Sequence, residues 1–377
     1  MGKIIVCLTT GETFKTSKEA SERYNCNSGG ITKCCKGTQK TCGTLSDGTK
    51  LQWEYQEEIE AKTVEDNQQE TVEIVQALSD EEIRMQSNNA LNQYLQYQNG
   101  FIPTGVNMTN APMYHMKGYT GKGITVAVLD TGYTYHEDLD ENIIGGRNFT
   151  NEDNGNPDIY NDYNGHSTHV AGTIASNGHI KGIAPNAKLL ILKVLDKNGN
   201  GNLESVVNAI NYAISQEVDI ITLSLGCSID VPELRTVVRN AVAKNIVIVC
   251  AAGNGGDNNS ATNEIDYPSG YTETISVGAV DNTRLNAWFT NSNNQIDCVA
   301  HGVNVISTGL NNDYMEMSGT SMSTPHVTGV VALLIEKFIK EWNRHPTTME
   351  TYGQLIKNTI DLNLDKRIQG NGLIFLK

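Results

Sequence analysis

The chain has 377 residues, enough for more than one domain, and its 43 acidic against 28 basic side chains give a net charge of −15. That balance argues against nucleic-acid binding by the chain as a whole and suits a soluble protein. No apolar run reaches the length of a membrane span, so no membrane partner is expected.

The first residues, Met1-Gly2-Lys3-Ile4-Ile5-Val6-Cys7-Leu8, hold too short an apolar run for a secretory signal. Met1-Gly2 opens like a myristoylation signal, but Val6 stands where Ser or Thr is needed. Cysteines fall at positions 7, 26, 34, 35, 42, 227, 250 and 298, none in a Cys-x-x-Cys pair. They read as reduced thiols of a cytoplasmic protein, with a disulfide framework or a zinc site left open among the first five.

Residues 1–55 read as a small α+β module. Lys3 to Leu8 predicts a strand, Gly11-Glu12 a hairpin turn, and Ser17 to Tyr24 a short helix capped by Ser17. Ser28 to Cys35 predicts a second helix and Leu51 to Tyr55 a closing strand. On Thr16-Ser17-Lys18-Glu19-Ala20, Ile31 to Gly37 and Trp53-Glu54-Tyr55, this module resembles the helix-turn-helix modules appended to phage-type homing endonucleases. The resemblance implies a contact with DNA, to which Lys33, Lys36 and Lys40 would contribute; the alternative is a protein-docking module with solvated lysines.

From residue 56 to 100 the composition shifts to Glu, Gln and Asn. Thr63 to Gln76 and Ser79 to Tyr97 predict acidic helices, either a solvated linker or an inhibitory pro-segment. Self-cleavage near Tyr97 to Gly100 would release a mature chain opening at Ile102-Pro103-Thr104.

Residues 101–377 alternate apolar strands with helical patterns. Strands are predicted at Ile124–Leu129, Leu189–Val194, Ile220–Leu225 and Ile246–Ala251. Helices are predicted near His169–Ala175, Leu203–Gln216 and Pro232–Lys244. That rhythm specifies an α/β fold, a parallel sheet with helices on both faces.

Three stretches in this part carry chemistry. Val126-Ala127-Val128-Leu129-Asp130 delivers an acid at the carboxyl end of a strand, where such sheets place their sites. Asn164-Gly165-His166-Ser167-Thr168-His169 opens a small-residue helix. Gly319-Thr320-Ser321-Met322-Ser323 runs into the apolar stretch Val327 to Leu334, which sets a serine at a helix start beside unpaired N–H groups. A serine hydroxyl needs a base, and the base needs an orienting group.

On these blocks residues 102–377 resemble the subtilisin-like serine proteases, and look closest to the intracellular subtilisins. The resemblance implies that Asp130 orients the imidazole, His166 serves as base and then acid, and Ser321 attacks the scissile carbonyl. His169 is expected to be structural. It assigns Asn254, after the strand Val247 to Ala251, to the oxyanion hole with the Ser321 N–H. Substrate would lie extended between Ser224-Leu225-Gly226 and Gly199-Asn200-Gly201. The P1 pocket would lie between Ser224–Gly226 and Ala251-Ala252-Gly253, with Asp266 at its far end favouring Lys or Arg.

Partners are then protein or peptide substrates, and no cofactor is required for the chemistry. Relatives that stay inside cells block the cleft with a short proline-containing extension, but no proline precedes Pro103. The loop from Ile174 to Ala184 is too short for the calcium-binding excursion common in relatives, leaving the acidic turn Asn151 to Asn154 and Asp158 as the other candidate. Ser167, Cys227 and His301 depart from the family pattern, the last standing where proline is usual. Two rivals remain: a DNA-binding regulator that uses the protease locally, and an inactive scaffold.

Overall fold

The computed structural model describes residues 5–7, 13–36, 42–44, 50–51, 53–55, 75–77 and 100–377. The chain divides into two compact units, Met1–Val72 and Glu73–Lys377.

In the first unit, strand Ile5–Cys7 pairs antiparallel with Thr13–Phe14 on one side and Trp53–Tyr55 on the other. Helices Ser17–Tyr24 and Ser28–Cys35 fall on the residues predicted. The cap is not Ser17: Thr16 takes that place, its hydroxyl accepting from the Glu19 N–H at 3.2 Å, and Ser17 is the first helical residue. The extended backbone of Thr16 is what a cap requires. Asn25 turns the chain between the helices in the left-handed conformation. Cys7, Ala20, Ile31, Cys34, Cys35 and Leu51 bury against one another as a small core. The expected hairpin turn and Lys40 lie outside the described residues.

The second unit is built on a nine-stranded sheet. Its order is Thr359–Ile360, Leu373–Ile374, Ile296–His301, Ile275–Val280, Val247–Ala251, Ile220–Leu223, Thr125–Asp130, Lys188–Lys193 and Ile143–Asn148. All neighbours are parallel except the first two. Successive residues of one strand face opposite ways. Val126 and Val128 accordingly enter one core, with helices His166–Ala175 and Thr320–Trp342, while Ala127 and Leu129 enter the other. That second core holds helices Leu203–Ser215 and Pro232–Ala243. Among the described residues no helix is long and apolar enough to cross a membrane.

Most of these elements shift by a residue at their ends, and larger departures from expectation fall at three places. The predicted strand Ile220–Leu225 breaks at Ser224, and Leu225–Gly226 leaves the main sheet for a separate three-stranded one. The helix expected at His169 begins at His166. Val75–Ala77 is a strand, not the end of an acidic helix, because edges on both sides supply backbone partners that helix propensity cannot anticipate. The rest of the predicted acidic helices lies outside the described residues.

Candidate active site

Strand Thr125–Asp130 carries Asp130 to the carboxyl edge of the sheet, where both it and His166 are wholly buried. The Asp130 oxygens stand 2.8 and 2.9 Å from His166 Nδ1. Oδ1 also accepts the Thr131 N–H at 2.7 Å, which fixes the carboxylate. A carboxylate on Nδ1 holds the proton there and leaves Nε2 as the basic nitrogen. Nε2 is buried and has no hydrogen-bond partner among the described residues.

Ser321 is the second residue of helix Thr320–Trp342, behind Gly319 at φ 153°. Its hydroxyl donates to the Ser224 carbonyl at 3.1 Å, and the Ser224 hydroxyl donates back to the Ser321 carbonyl at 3.0 Å. Asn254 follows the strand Val247–Ala251. Its Oδ1 accepts from the Thr320 N–H and the Thr320 hydroxyl, both at 2.9 Å. With the oxygen accepting, the NH₂ is the donor end of this side chain. Thr320, whose hydroxyl also accepts from the Gly253 N–H at 3.2 Å, is a residue the sequence reading passed over.

Asp162 is another. It is 3 % exposed, and its two oxygens accept from the Thr131 hydroxyl, the N–H groups of Asn164, Gly165 and Thr168, and the Thr168 hydroxyl, at 2.8 to 3.0 Å. Thr131 Oγ1 in turn accepts from the Ser167 N–H at 3.0 Å. Buried Lys193 donates to the Thr131 and Leu195 carbonyls at 2.6 and 3.1 Å and pairs with Glu152 at 2.9 Å. The turn after Asp130 and the start of the His166 helix are therefore cross-linked through one carboxylate. An aspartate in a polar loop gives no sequence signal of this, since its partners are chosen by the fold.

Of the stretches expected to flank a substrate, Asn200–Gly201, with Gly199 at φ +79° beside it, and Leu225–Gly226 are short strands. Ala251 ends its strand, Ala252 follows, and Gly253 turns at φ +112°. A Cβ on Gly253 would fall 2.0 Å from Asp266 Oδ2, which puts the carboxylate directly against this backbone. Asn291 donates to Asp266 Oδ2 and to the Ala252 carbonyl, both at 2.9 Å. Burial raises the Asp266 pKa, the Asn291 bond opposing. Cys227 forms a backbone bridge with Tyr267 beside the same wall, and burial raises its thiol pKa.

His169 is buried and bound through Nε2 to the Val305 carbonyl at 2.8 Å; desolvation lowers its pKa to about 4. Ser167 is fully buried behind His166. Asp138, beside the shortened loop, accepts from the N–H groups of His179 and Ile180 at 2.7 and 2.9 Å and from the Tyr314 hydroxyl at 3.0 Å. A shell of N–H and O–H donors does not suit a cation. In the acidic turn Glu152 is paired with Lys193, and Asp153 accepts from the Tyr163 hydroxyl. Among the described residues, no three His, Cys, Asp or Glu side chains converge as a metal site. All eight cysteines are free thiols, Cys250 and Cys298 within core strands.

An acid-clamped imidazole, a helix-start serine and a fixed amide on one rim of a parallel sheet belong to the serine proteases of subtilisin type. The chain is a member of the Subtilase family, which it matches over residues 121–372. It is 49 % identical over 280 residues to the major intracellular serine protease of Bacillus subtilis (strain 168), covering 73 % of this chain and 88 % of that protein. The intracellular serine protease of Paenibacillus polymyxa is 50 % identical over 280 residues, 73 % of this chain and 85 % of its own. Subtilisin E of Bacillus subtilis (strain 168) is 41 % identical over 250 residues, 65 % and 62 % of the two chains.

Proposed function

We propose that this serine protease is a cytoplasmic endopeptidase cutting after Lys or Arg, with Asp130, His166, Ser321 and Asn254 as its catalytic groups. The observation that carries the reading is Asp130 bound to His166 Nδ1, with the buried Nε2 left to act as base. Ser321 Oγ turns from Ser224 toward Nε2, gives up its proton and attacks the carbonyl. The Asn254 amide and the Ser321 N–H hold the oxyanion, a role worth about 10²–10³ in turnover where such an amide has been removed from a subtilisin. The C–N bond breaks as His166 protonates the leaving amine. Water, deprotonated by His166, then hydrolyses the acyl-enzyme.

The half-buried Asp266 carboxylate against Gly253 supports basic P1 residues through a charge-assisted hydrogen bond. The similarity to intracellular serine proteases of Bacillus subtilis and Paenibacillus polymyxa supports an intracellular site of action. Peptides differing only in Lys, Phe or Glu at P1 test the specificity: Lys is cleaved fastest, and equal rates for Lys and Phe would refute it.

A DNA contact by residues 1–55 is a separate proposal. Its support is the pair of short helices joined through Asn25, with Lys15, Lys18, Lys33 and Lys36 exposed. A gel shift of the full chain, compared with a charge-reversed Lys18, Lys33 and Lys36 variant across salt concentrations, tests it. No shift of the full chain at low salt would remove it.

A further inference from the structure

Asn291 ties Asp266 to the backbone of Ala252 and Gly253. Its N–H donates to the Gly253 carbonyl at 3.1 Å, and its Nδ2 donates to the Ala252 carbonyl and to Asp266 Oδ2, both at 2.9 Å. A Cβ on Gly253 would fall 2.1 Å from Asn291 Nδ2 as well as 2.0 Å from Asp266 Oδ2. Amide, carboxylate and backbone are therefore in contact, which a side chain at 253 would prevent.

The orientation of the amide is forced. Asn291 Oδ1 is buried and has no hydrogen-bond partner among the described residues. Turned over, the amide would set that oxygen against a carbonyl and a carboxylate, both of them acceptors. One unmet oxygen costs less than two facing pairs of acceptors. Among the described residues Asn291 is also the one donor bonded to the Asp266 carboxylate.

That bond divides the two oxygens of Asp266. A guanidinium meets a carboxylate best with both oxygens, as a fork on a fork, whereas an ammonium is a point charge that a single oxygen can take. Asn291 occupies Oδ2 and leaves Oδ1 for a substrate. Resting on the reading of Asp266 as the P1 acid, we propose that Asn291 is a positioning residue that narrows the P1 preference from basic residues in general to lysine, by claiming one of the two oxygens arginine would need.

The test compares kcat/KM for peptides that differ only in Lys, Arg or Phe at P1, with active sites counted by a fluorophosphonate. It uses wild type, Asn291→Ala, Asn291→Ser, Asp266→Asn and the double variant Asp266→Asn/Asn291→Ala. Wild type should prefer Lys over Arg by about tenfold, the worth of the hydrogen bond that arginine forgoes. Asn291→Ala frees Oδ2, so the Lys-over-Arg ratio should fall toward unity while Phe cleavage is unchanged. In the Asp266→Asn background the same substitution should leave that ratio alone, since the two residues act as one unit. The Asn291 bond also holds the Asp266 pKa down against burial, so its loss should move the acid limb of the Lys-over-Phe ratio to higher pH. Cys227, raised by burial and further by the Asp266 charge, stays a neutral thiol in that range and adds no limb.

Wild type cutting Arg as fast as Lys overturns the proposal, as does a Lys-over-Arg ratio that both Asn291 variants keep. Lys, Arg and Phe cleavage falling together in both variants would make Asn291 a packing residue only. Wild type cutting Phe as fast as Lys and Arg would instead remove the P1 reading beneath it.

Discussion

Asp130 meets His166 Nδ1 with both carboxylate oxygens, at 2.8 and 2.9 Å, and neither side chain is exposed to water. An amide in place of that carboxylate would present an N–H to Nδ1 and favour the wrong tautomer. Asp130→Asn should therefore lower kcat by about 10⁴ with little change in KM. Steady-state kinetics on one peptide checks this, provided that the variant keeps the wild-type circular dichroism.

Asp162 should act through geometry alone. Its carboxylate gathers hydrogen bonds from both the Thr131 turn and the His166 helix start. Asp162→Ala frees these segments from each other, and a displacement of about 1 Å at the imidazole would cost about 10²-fold in kcat. Thr168→Val, which removes one of the bonds, should cost much less. A fall in Tm with kcat unchanged would make Asp162 structural only.

The Asp266 carboxyl, raised in pKa by burial, sets a pH dependence on specificity. Above its pKa the group is charged and prefers a basic P1; below it the preference fades. Asp266→Asn should cut the Lys-over-Phe ratio by about 10–100-fold, the worth of a hydrogen bond to a charge. The variant's ratio should also lose its acid limb in kcat/KM measurements.

His169, His301 and His326 are buried, and desolvation lowers their pKa values to about 4, about 4 and about 3. The ring of His301 lies 6.1 Å from that of His326; Asp281 raises the His301 value, while His301 and His169 lower that of His326. The unfolded chain takes up these protons near pH 6.5, whereas the native state refuses them until lower pH. Stability is thus full above about pH 6.5 and falls as pH drops toward 4, by about 1.4 kcal/mol per pH unit for each histidine. His301 has neither ring nitrogen bonded among the described residues. Urea unfolding of His301→Leu should show a slope reduced by about one proton over that window. An unchanged slope would contradict the lowered His301 value.

Much of the fold was legible because its signals are local. Helices Ser17–Tyr24 and Ser28–Cys35, and the core strands with their apolar runs, follow from patterning. Asp130, His166, Ser321 and Asn254 stood out through strand ends, a helix start and the family resemblance. What stayed hidden depends on partners distant in sequence. Asn291 reaches back to Ala252 and Asp266, and Thr320 orients Asn254. The strand at Val75–Ala77 sits in a Glu- and Gln-rich stretch, and only the waiting edges make it extended. The Ser321 hydroxyl bonds the Ser224 carbonyl at 3.1 Å, a rotamer choice no sequence pattern encodes.

The most direct measurement is covalent labelling with a fluorophosphonate, read by peptide mass mapping, on wild type and Ser321→Ala in parallel with hydrolysis of a Lys-P1 peptide. A single phosphonate on Ser321 of wild type, no label on the variant, and peptide hydrolysis by wild type alone are the results expected. A label on another residue, or hydrolysis that survives the loss of the Ser321 hydroxyl, would contradict the assignment of the nucleophile.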